Sequence, residues 1–194
     1  MAIGQFSIMV PYGLSLAAVS MIGHSLGAYE ADDARVNSRV IILASSICCS
    51  IVVIVLYFCQ TPIISLFTDD TTVIAIAEDS FPVFVVAFAF AWMQCCASGI
   101  IKGAGYQGLG SLFGLASLTM VAIPVSTTLA FKQDMGISGL WIGYGLSALV
   151  LALAYYYTIL CYIDWEAVAT WAATSEEDSC DEKVNNSVKV GKQD

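Results

Sequence analysis

The sequence is poor in charge: 12% of its 194 residues are charged, whereas a soluble domain carries about a quarter. Bases are the scarcer sign, with seven Lys and Arg against sixteen Asp and Glu, and there is one histidine. The net charge of −9 and the lack of a basic cluster argue against a nucleic-acid partner. With 58% apolar residues and a mean hydropathy of +0.79, the chain is predicted to be a membrane protein.

The chain also lacks the sequence motifs of common enzyme classes. It has no HExxH, GxSxG or Walker sequence, so no enzymatic activity, cofactor or metal site is predicted. The GxGxxG-like stretch at 103–108 follows an apolar run of membrane type and not a strand, which argues against a dinucleotide site. The seven cysteines include neighbours at 48/49 and 95/96 without CxxC spacing, and these favour helix packing over disulfides or metal binding.

Five long runs without Asp, Glu, Lys or Arg remain. Each has at least 22 residues, and about 20 helical residues cross a hydrocarbon core of about 30 Å. The fold class predicted is therefore all-α, a polytopic membrane helix bundle with the lipid bilayer as its surroundings. The five spans are expected at about 3–27, 40–61, 81–101, 110–130 and 137–162, within a transmembrane bundle covering 1–163.

The segments between and after these runs are polar. A short connection with helical character is predicted over 29–39, and a glycine-rich turn is predicted over 98–111. At LFTDD (66–70) the preceding apolar segment is predicted to end and the next helix to begin. Residues 164–173 are predicted to form an amphipathic interfacial stub, with Trp165 and Trp171 as anchors at the membrane surface. Residues 174–194 are acidic and poor in aromatics, which predicts a disordered tail.

The distribution of Lys and Arg predicts the orientation in the membrane. Arg35, Arg39 and Lys102 fall on one side, whereas Lys132 is the base on the other side, among several acids. Because short cytoplasmic loops carry an excess of Lys and Arg, the 29–39 connection, the glycine turn and the tail are predicted to be cytoplasmic.

Polar and aromatic residues within the spans are the candidates for function. Gln94 is able to hydrogen-bond a transported molecule or another helix, and His24 is able to relay protons or to rest near a helix C-terminus. Aromatic rings are able to hold an organic cation or to contact lipid. The residues selected as candidates for a substrate pathway are Gln94, Trp92, His24, Gln5 and Tyr144.

Six elements in the same order and spacing resemble the C-terminal half of eukaryotic multidrug and toxic compound extrusion (MATE) transporters. The resemblance covers nearly all of residues 7–171. Its elements are VPYGLSLAAVSMIGHSLGAYEADDAR, LFTDD followed by Val73, SGIIKGAGYQ, IPVS, GISGLWIGY and IDWEAVA.

The resemblance implies a fold of two six-helix bundles around a central cavity, with this chain holding helices 8–12. It also implies export of organic cations or drugs in exchange for protons or sodium, in the plasma membrane or a vacuolar or vesicular membrane. The residues matched to structural family motifs are Pro11, Gly13, Gly27, Gly99, Lys102, Gly103, Gly105, Gln107, Pro124, Gly139 and Trp141.

The sequence also departs from the family pattern. Ala91 stands where eukaryotic members usually have an acid, three positions before the Gln94 site, and the family's seventh-helix glutamate would precede Met1. Because rocking of one bundle against another requires two bundles, the chain is expected to be a fragment of a full transporter or a half that needs a partner bundle. The alternative is a non-transporting membrane interaction protein.

Overall fold

The computed structural model describes residues 2–66, 71–172 and 174, and it describes no side chain for residues 2–7, 71 and 73. The described chain is helical, because long apolar sequences satisfy their backbone hydrogen bonds within the helix. The helices are α1 Ala2–Gly27, α2 Ala31–Phe58, α3 Gln60–Ser65, α4 Thr71–Gly103, α5 Gln107–Ser117, α6 Ile123–Thr127, α7 Gly136–Tyr157 and a helix at 165–172, here α8. Three π-helical turns follow α5, α6 and α7, at Leu118–Ala122, Thr128–Lys132 and Thr158–Tyr162.

Five helical stretches of the described chain are long and apolar enough to cross a membrane. They confirm the predicted all-α bundle with five membrane-capable helices. The stretches are Ile8–Gly27, Ala31–Phe58, Ile74–Gly103, Gln107–Lys132 and Gly136–Tyr162.

Two of these helices extend well past the predicted limits. The second was expected over 40–61, but α2 begins at Ala31, because Asp32 and Asp33 lie in its first turn where the helix dipole favours acids. The third was expected over 81–101 after a separate segment, but α4 is continuous from Thr71 and carries Pro82 inside it. Charge and proline mark the edge of the apolar run, and the hydrogen-bonded helix continues beyond it.

Helix α4 is the centre of the bundle and packs against α1, α2 and α7. Helices α4 and α7 run parallel, since Ser80 lies beside Ser138 and a Cβ added at Gly145 would meet Ala87. The buried apolar residues form two clusters, one toward each end of the bundle. The first includes Leu26, Ala104 and Trp165, and the second includes Leu56, Ile64 and Phe81. We name these ends the α8 end and the α3 end.

The turns at the α8 end are tight. The connection was expected over 29–39, but it is three residues long, 28–30. In it the Glu30 N–H donates to the Ser25 carbonyl and Tyr29 has a φ of 65°. The expected glycine turn shrinks to 104–106, where Gly105 adopts a φ of 83° that favours a residue without Cβ. These turns and α8 lie at one end of the bundle, as the sequence predicted.

Helix α8 is amphipathic, and its two tryptophans have different surroundings. Trp165 is 6% exposed and belongs to the buried cluster of the α8 end, whereas Trp171 is 65% exposed. Trp165 is therefore held within the protein, and its place as an anchor at the membrane surface stays a prediction. The predicted tail lies outside the described residues except for Thr174, whose hydroxyl donates to the Thr170 carbonyl. Residues 67–70 of the LFTDD motif also lie outside them.

Candidate functional site

Gln94 and Trp92, two of the five pathway candidates, lie close together in sequence on α4. Gln94 is half-buried, whereas Trp92 is completely buried. Because successive helical residues point about 100° apart, residues two apart face nearly opposite directions. Gln94 therefore lies toward the surface of α4, and Trp92 lies inside the bundle.

Trp92 packs between α2 and α4. Its indole N–H donates to Ser45 Oγ at 3.1 Å, and the Ser45 hydroxyl lies 2.8 Å from Cys96 Sγ, to which it donates. The ring of Phe88 meets Trp92 edge-on with centroids 5.9 Å apart. All these side chains are buried, so the structure gives Trp92 a packing position and no exposed ring face for a ligand.

Tyr144 is the candidate with an exposed aromatic ring. It lies on α7, is 40% exposed, and contacts Trp141 edge-on with centroids 6.1 Å apart. Trp141 contacts Phe84 of α4 at 4.7 Å, so Tyr144 is held by an aromatic row that starts in the core. In the parallel register of α4 and α7, Tyr144 lies about two turns nearer the α3 end than Gln94.

The remaining two candidates lie near opposite ends of α1. His24 is exposed in the last turn of α1, at the α8 end. Gln5 lies in the described backbone of α1, but its side chain lies outside the described residues. At 1.5 Å rise per residue, about 28 Å separate their backbones. The five candidates do not converge on one point, and their role in a pathway stays a prediction.

The motif glycines bring α1 against α4. A Cβ added at Gly99 would collide with the backbone carbonyl and hydroxyl of Ser15, and one added at Gly103 would lie 2.9 Å from Ile22 Cβ. Small residues let membrane helices approach closely in this way. Gly13 differs, since a Cβ there meets nothing within 4 Å.

The other motif residues lie at several levels of the bundle. Pro11 is buried inside α1, and Gly27 is the last residue of that helix. Lys102 is exposed at the end of α4, and Gln107 begins α5. Pro124 lies in α6, and Gly139 lies against the backbone of Leu129 and Ala130.

Sequence reasoning missed a group of buried hydroxyl contacts. Ser117 and Ser147 bond each other through both side chain and backbone, and the Tyr155 hydroxyl donates to the Gly110 carbonyl at 2.8 Å. The hydroxyls of Ser46 and Tyr156 each lie 3.8 Å from Met93 Sδ. Serine is common in apolar helices, and the sequence contains no local signal for these contacts.

Acidic side chains of the described residues lie near the ends of the spans. Glu78 accepts a hydrogen bond from the Thr61 hydroxyl at 2.7 Å near the α3 end. Asp32 and Asp33 lie in the first turn of α2. Ala91, at the position where the sequence resemblance leads one to expect an acid, is 7% exposed in the middle of α4. The centre of the described bundle is thus lined by neutral groups.

This geometry defines an integral membrane protein built around a central helix. A family model described as MatE matches residues 1–128, and the chain belongs to the MATE family. The resemblance in the sequence is confirmed at the level of the family.

Individual relatives agree with this assignment. The chain is 26% identical over 169 residues to rabbit (Oryctolagus cuniculus) "Multidrug and toxin extrusion protein 1", covering 87% of this chain and 28% of that protein. It is 31% identical over 160 residues to an uncharacterized transporter of Schizosaccharomyces pombe, covering 82% and 30%. The fold is similar to that of the eukaryotic MATE transporter AtDTX14, with a TM-score of 0.84, 24% identity, and coverage of 89% of this chain and 38% of that one. The chain thus spans about 30% of the length of these curated relatives.

Proposed function

We propose that this chain forms part of a multidrug efflux transporter that moves an organic cation or drug out in exchange for a proton or sodium ion. The observation that carries the proposal is the family match over residues 1–128, together with relatives named for multidrug and toxin extrusion. Antiport, the substrate class and the coupling ion are inferences from the family.

The described helices offer groups suited to such a substrate. Gln94 has both a donor and an acceptor on a half-buried side chain in a membrane-capable helix. Tyr144 and Trp141 present ring surface on the neighbouring helix, and ring faces attract organic cations. We propose that these residues of α4 and α7 line the substrate path.

We further propose that helices beyond these five complete the transporter. The chain covers 38% of the solved MATE structure that it resembles, and alternating access by rocking requires two bundles around one site. The second bundle would come from the same polypeptide or from a partner.

The proposed orientation places the α8 end in the cytoplasm. Arg35, Arg39 and Lys102 are grouped near this end, and Lys132 lies near the α3 end. An excess of bases in the short segments near span ends favours the cytoplasmic side. The host membrane would be the plasma membrane or a vacuolar or vesicular membrane.

One observation favours a second candidate function, that of a membrane interaction protein without transport. Ala91 is buried where the family pattern has an acid, and the described span centres hold neutral groups. Without a titratable acid the five helices have no evident means of coupling proton movement to a substrate.

The test measures uptake of radiolabelled tetraethylammonium into inside-out membrane vesicles. The vesicles are prepared from cells that naturally express the gene, so that any partner bundle is also present. Vesicles with the gene intact are compared with vesicles in which it is disrupted, with and without an imposed proton or sodium gradient. We expect gradient-driven uptake that disappears with disruption. Equal uptake in both would reject the transport proposal and favour the interaction protein.

Ala91→Glu probes coupling, and Ala91→Gln is the matched control because it adds a similar volume without charge. If the transporter uses protons through this position, Ala91→Glu increases the dependence of uptake on the proton gradient and Ala91→Gln does not. An equal effect of both variants would mean that volume and not charge at residue 91 matters.

A further inference from the structure

The stretch from Gln107 to Lys132 is the least buried of the five membrane-capable stretches. Of its most apolar 18 residues 17% are buried, against 61% of the corresponding residues of α4. It is also irregular, since helix α6 is five residues long and has a π-helical turn on each side. Mid-helix π turns frequently occur at functional sites.

Proline chemistry explains the irregularity. Pro124 has no N–H, so the carbonyl four residues earlier, that of Met120, loses its donor. The chain compensates by widening, and the Ile123 N–H donates to the Leu118 carbonyl, five residues back. Beyond the proline, the hydroxyls of Thr127 and Thr128 both bond the Pro124 carbonyl, at 3.1 and 2.7 Å. Such back-bonding also tends to bend helices.

The half before this region is fixed to α7 by hydrogen bonds. Ser117 Oγ lies 2.9 Å from both the backbone oxygen and the hydroxyl of Ser147, and the Ser147 hydroxyl returns a bond to the Ser117 carbonyl at 3.3 Å. Near the start of α5, the Tyr155 hydroxyl donates to the Gly110 carbonyl. We call Gln107–Ser117 the fixed half.

The half after the proline region, Ile123–Lys132, contacts α7 at two glycines of that helix. Gly139 lies against the backbone of Leu129 and Ala130, and a Cβ added at Gly143 would collide with Ser126. The described hydrogen bond from this half to α7 joins Ser126 Oγ to the Leu140 carbonyl at 3.4 Å, at the edge of hydrogen-bond distance. At Gly139 and Gly143 this half lies directly against the backbone of α7, with no α7 side chain at the contact. Hydrogen bonding to α7 therefore differs between the two halves more than the closeness of packing does.

We propose that Leu118–Ala122 is a hinge turn, about which the arm Ile123–Lys132 moves relative to the fixed half. The arm swings away from Gly139 and Gly143 and opens the bundle between it and α7 at the α3 end. The proposal rests on the contacts within this chain and is independent of what the protein transports.

Hydrogen exchange of the full chain in lipid nanodiscs, measured at single-residue resolution, tests the proposal. The matched reference is the 144–147 segment of α7, which lies at the same level because Ser117 contacts Ser147 and Ser126 approaches Gly143. We expect hinge-turn amides to exchange at least about tenfold faster than this reference, and fixed-half amides to exchange at a rate similar to it. A hinge turn no faster than the reference would overturn the proposal.

Variants separate a hinge from general loosening of the helix. Pro124→Ala restores the missing donor and is expected to remove most of the excess exchange rate, whereas Pro82→Ala in α4 leaves it unchanged. Gly143→Ala places a methyl group against Ser126 and is expected to raise the rate in the hinge turn. If Pro124→Ala does not fold, Gly143→Ala still decides, because an unchanged rate there would contradict movement of the arm.

Discussion

The indole N–H of Trp92 on α4 donates to the hydroxyl of Ser45 on α2 over 3.1 Å, with both residues completely buried. Removal of one partner leaves a buried polar group unsatisfied, which costs about 1–3 kcal/mol in general and about 0.6–2 kcal/mol for hydrogen bonds between membrane helices. We expect Ser45→Ala to lower the free energy of unfolding by about 1 kcal/mol, measured by denaturation in detergent.

Two further variants identify the cause of that loss. Ser50 is exposed and its hydroxyl bonds its own helix, at the Ser46 carbonyl, so Ser50→Ala is expected to have almost no effect. In a Trp92→Phe background, which has no indole N–H, Ser45→Ala should cost less than it does in the parent. Equal costs in both backgrounds would show that the hydrogen bond is not responsible.

The contact of Gly99 with Ser15 predicts a strong effect of one methyl group. A Cβ at Gly99 would collide with the Ser15 backbone, which cannot move without shifting α1 away from α4. We expect Gly99→Ala to lower the free energy of unfolding by about 1–3 kcal/mol, the usual cost of overpacking. Gly13→Ala is the control, because a Cβ there meets nothing within 4 Å and alanine favours helix. A neutral Gly99→Ala variant would contradict the close approach.

The burial of Trp165 predicts that α8 is held by an apolar contact. Trp165→Ala is expected to cost about 3 kcal/mol or more and to make residues 165–172 the first protease-sensitive part of the described helices. Trp171→Ala, at a residue that is 65% exposed, is expected to cost much less. Similar losses from both variants, measured by unfolding in detergent and by limited proteolysis, would be inconsistent with the docking of α8 through Trp165.

The proposed orientation predicts which turns an antibody reaches when the protein is expressed at the plasma membrane, where the α3 end would face outside the cell. An epitope inserted after Asp134, in the exposed turn at the α3 end, is expected to bind antibody without permeabilisation. An epitope inserted after Tyr29, in the turn at the α8 end, is expected to require permeabilisation. The reverse result would refute the cytoplasmic assignment of the α8 end, and it would leave the fold itself unaffected.

Sequence reasoning located the helices but missed their limits. Long apolar runs identify membrane helices because the length of such a run must match the hydrocarbon thickness. The charged positions Asp32 and Asp33 of α2 and Glu78 and Asp79 of α4 lie outside the charge-free runs and remain helical, since backbone hydrogen bonding does not stop where charge begins. Pro82 was expected near a helix start, yet the helix continues through it.

The interior of the bundle was harder to predict than its helices. In a soluble protein an apolar stripe on a helix marks its buried face. In lipid both the buried and the lipid-facing surfaces are apolar, so the stripe no longer identifies the buried face. Trp92 was therefore considered a ring for a ligand, although it is buried, and the burial of Trp165 was not predicted. The pairs Ser45 with Cys96 and Ser117 with Ser147 depend on distant parts of the chain, and the sequence contains no local signal for them.

The length of α4 has a consequence for the membrane around it. Its 33 residues extend about 50 Å, whereas the hydrocarbon core is about 30 Å thick. The uncharged stretch from Ser80 to Ile101 accounts for about 33 Å, and the Ser80–Ser138 contact marks one limit of this stretch. The uncharged length of the central helix therefore matches a bilayer of ordinary thickness. A thinner membrane would have to thicken locally around it, or the whole bundle would have to tilt.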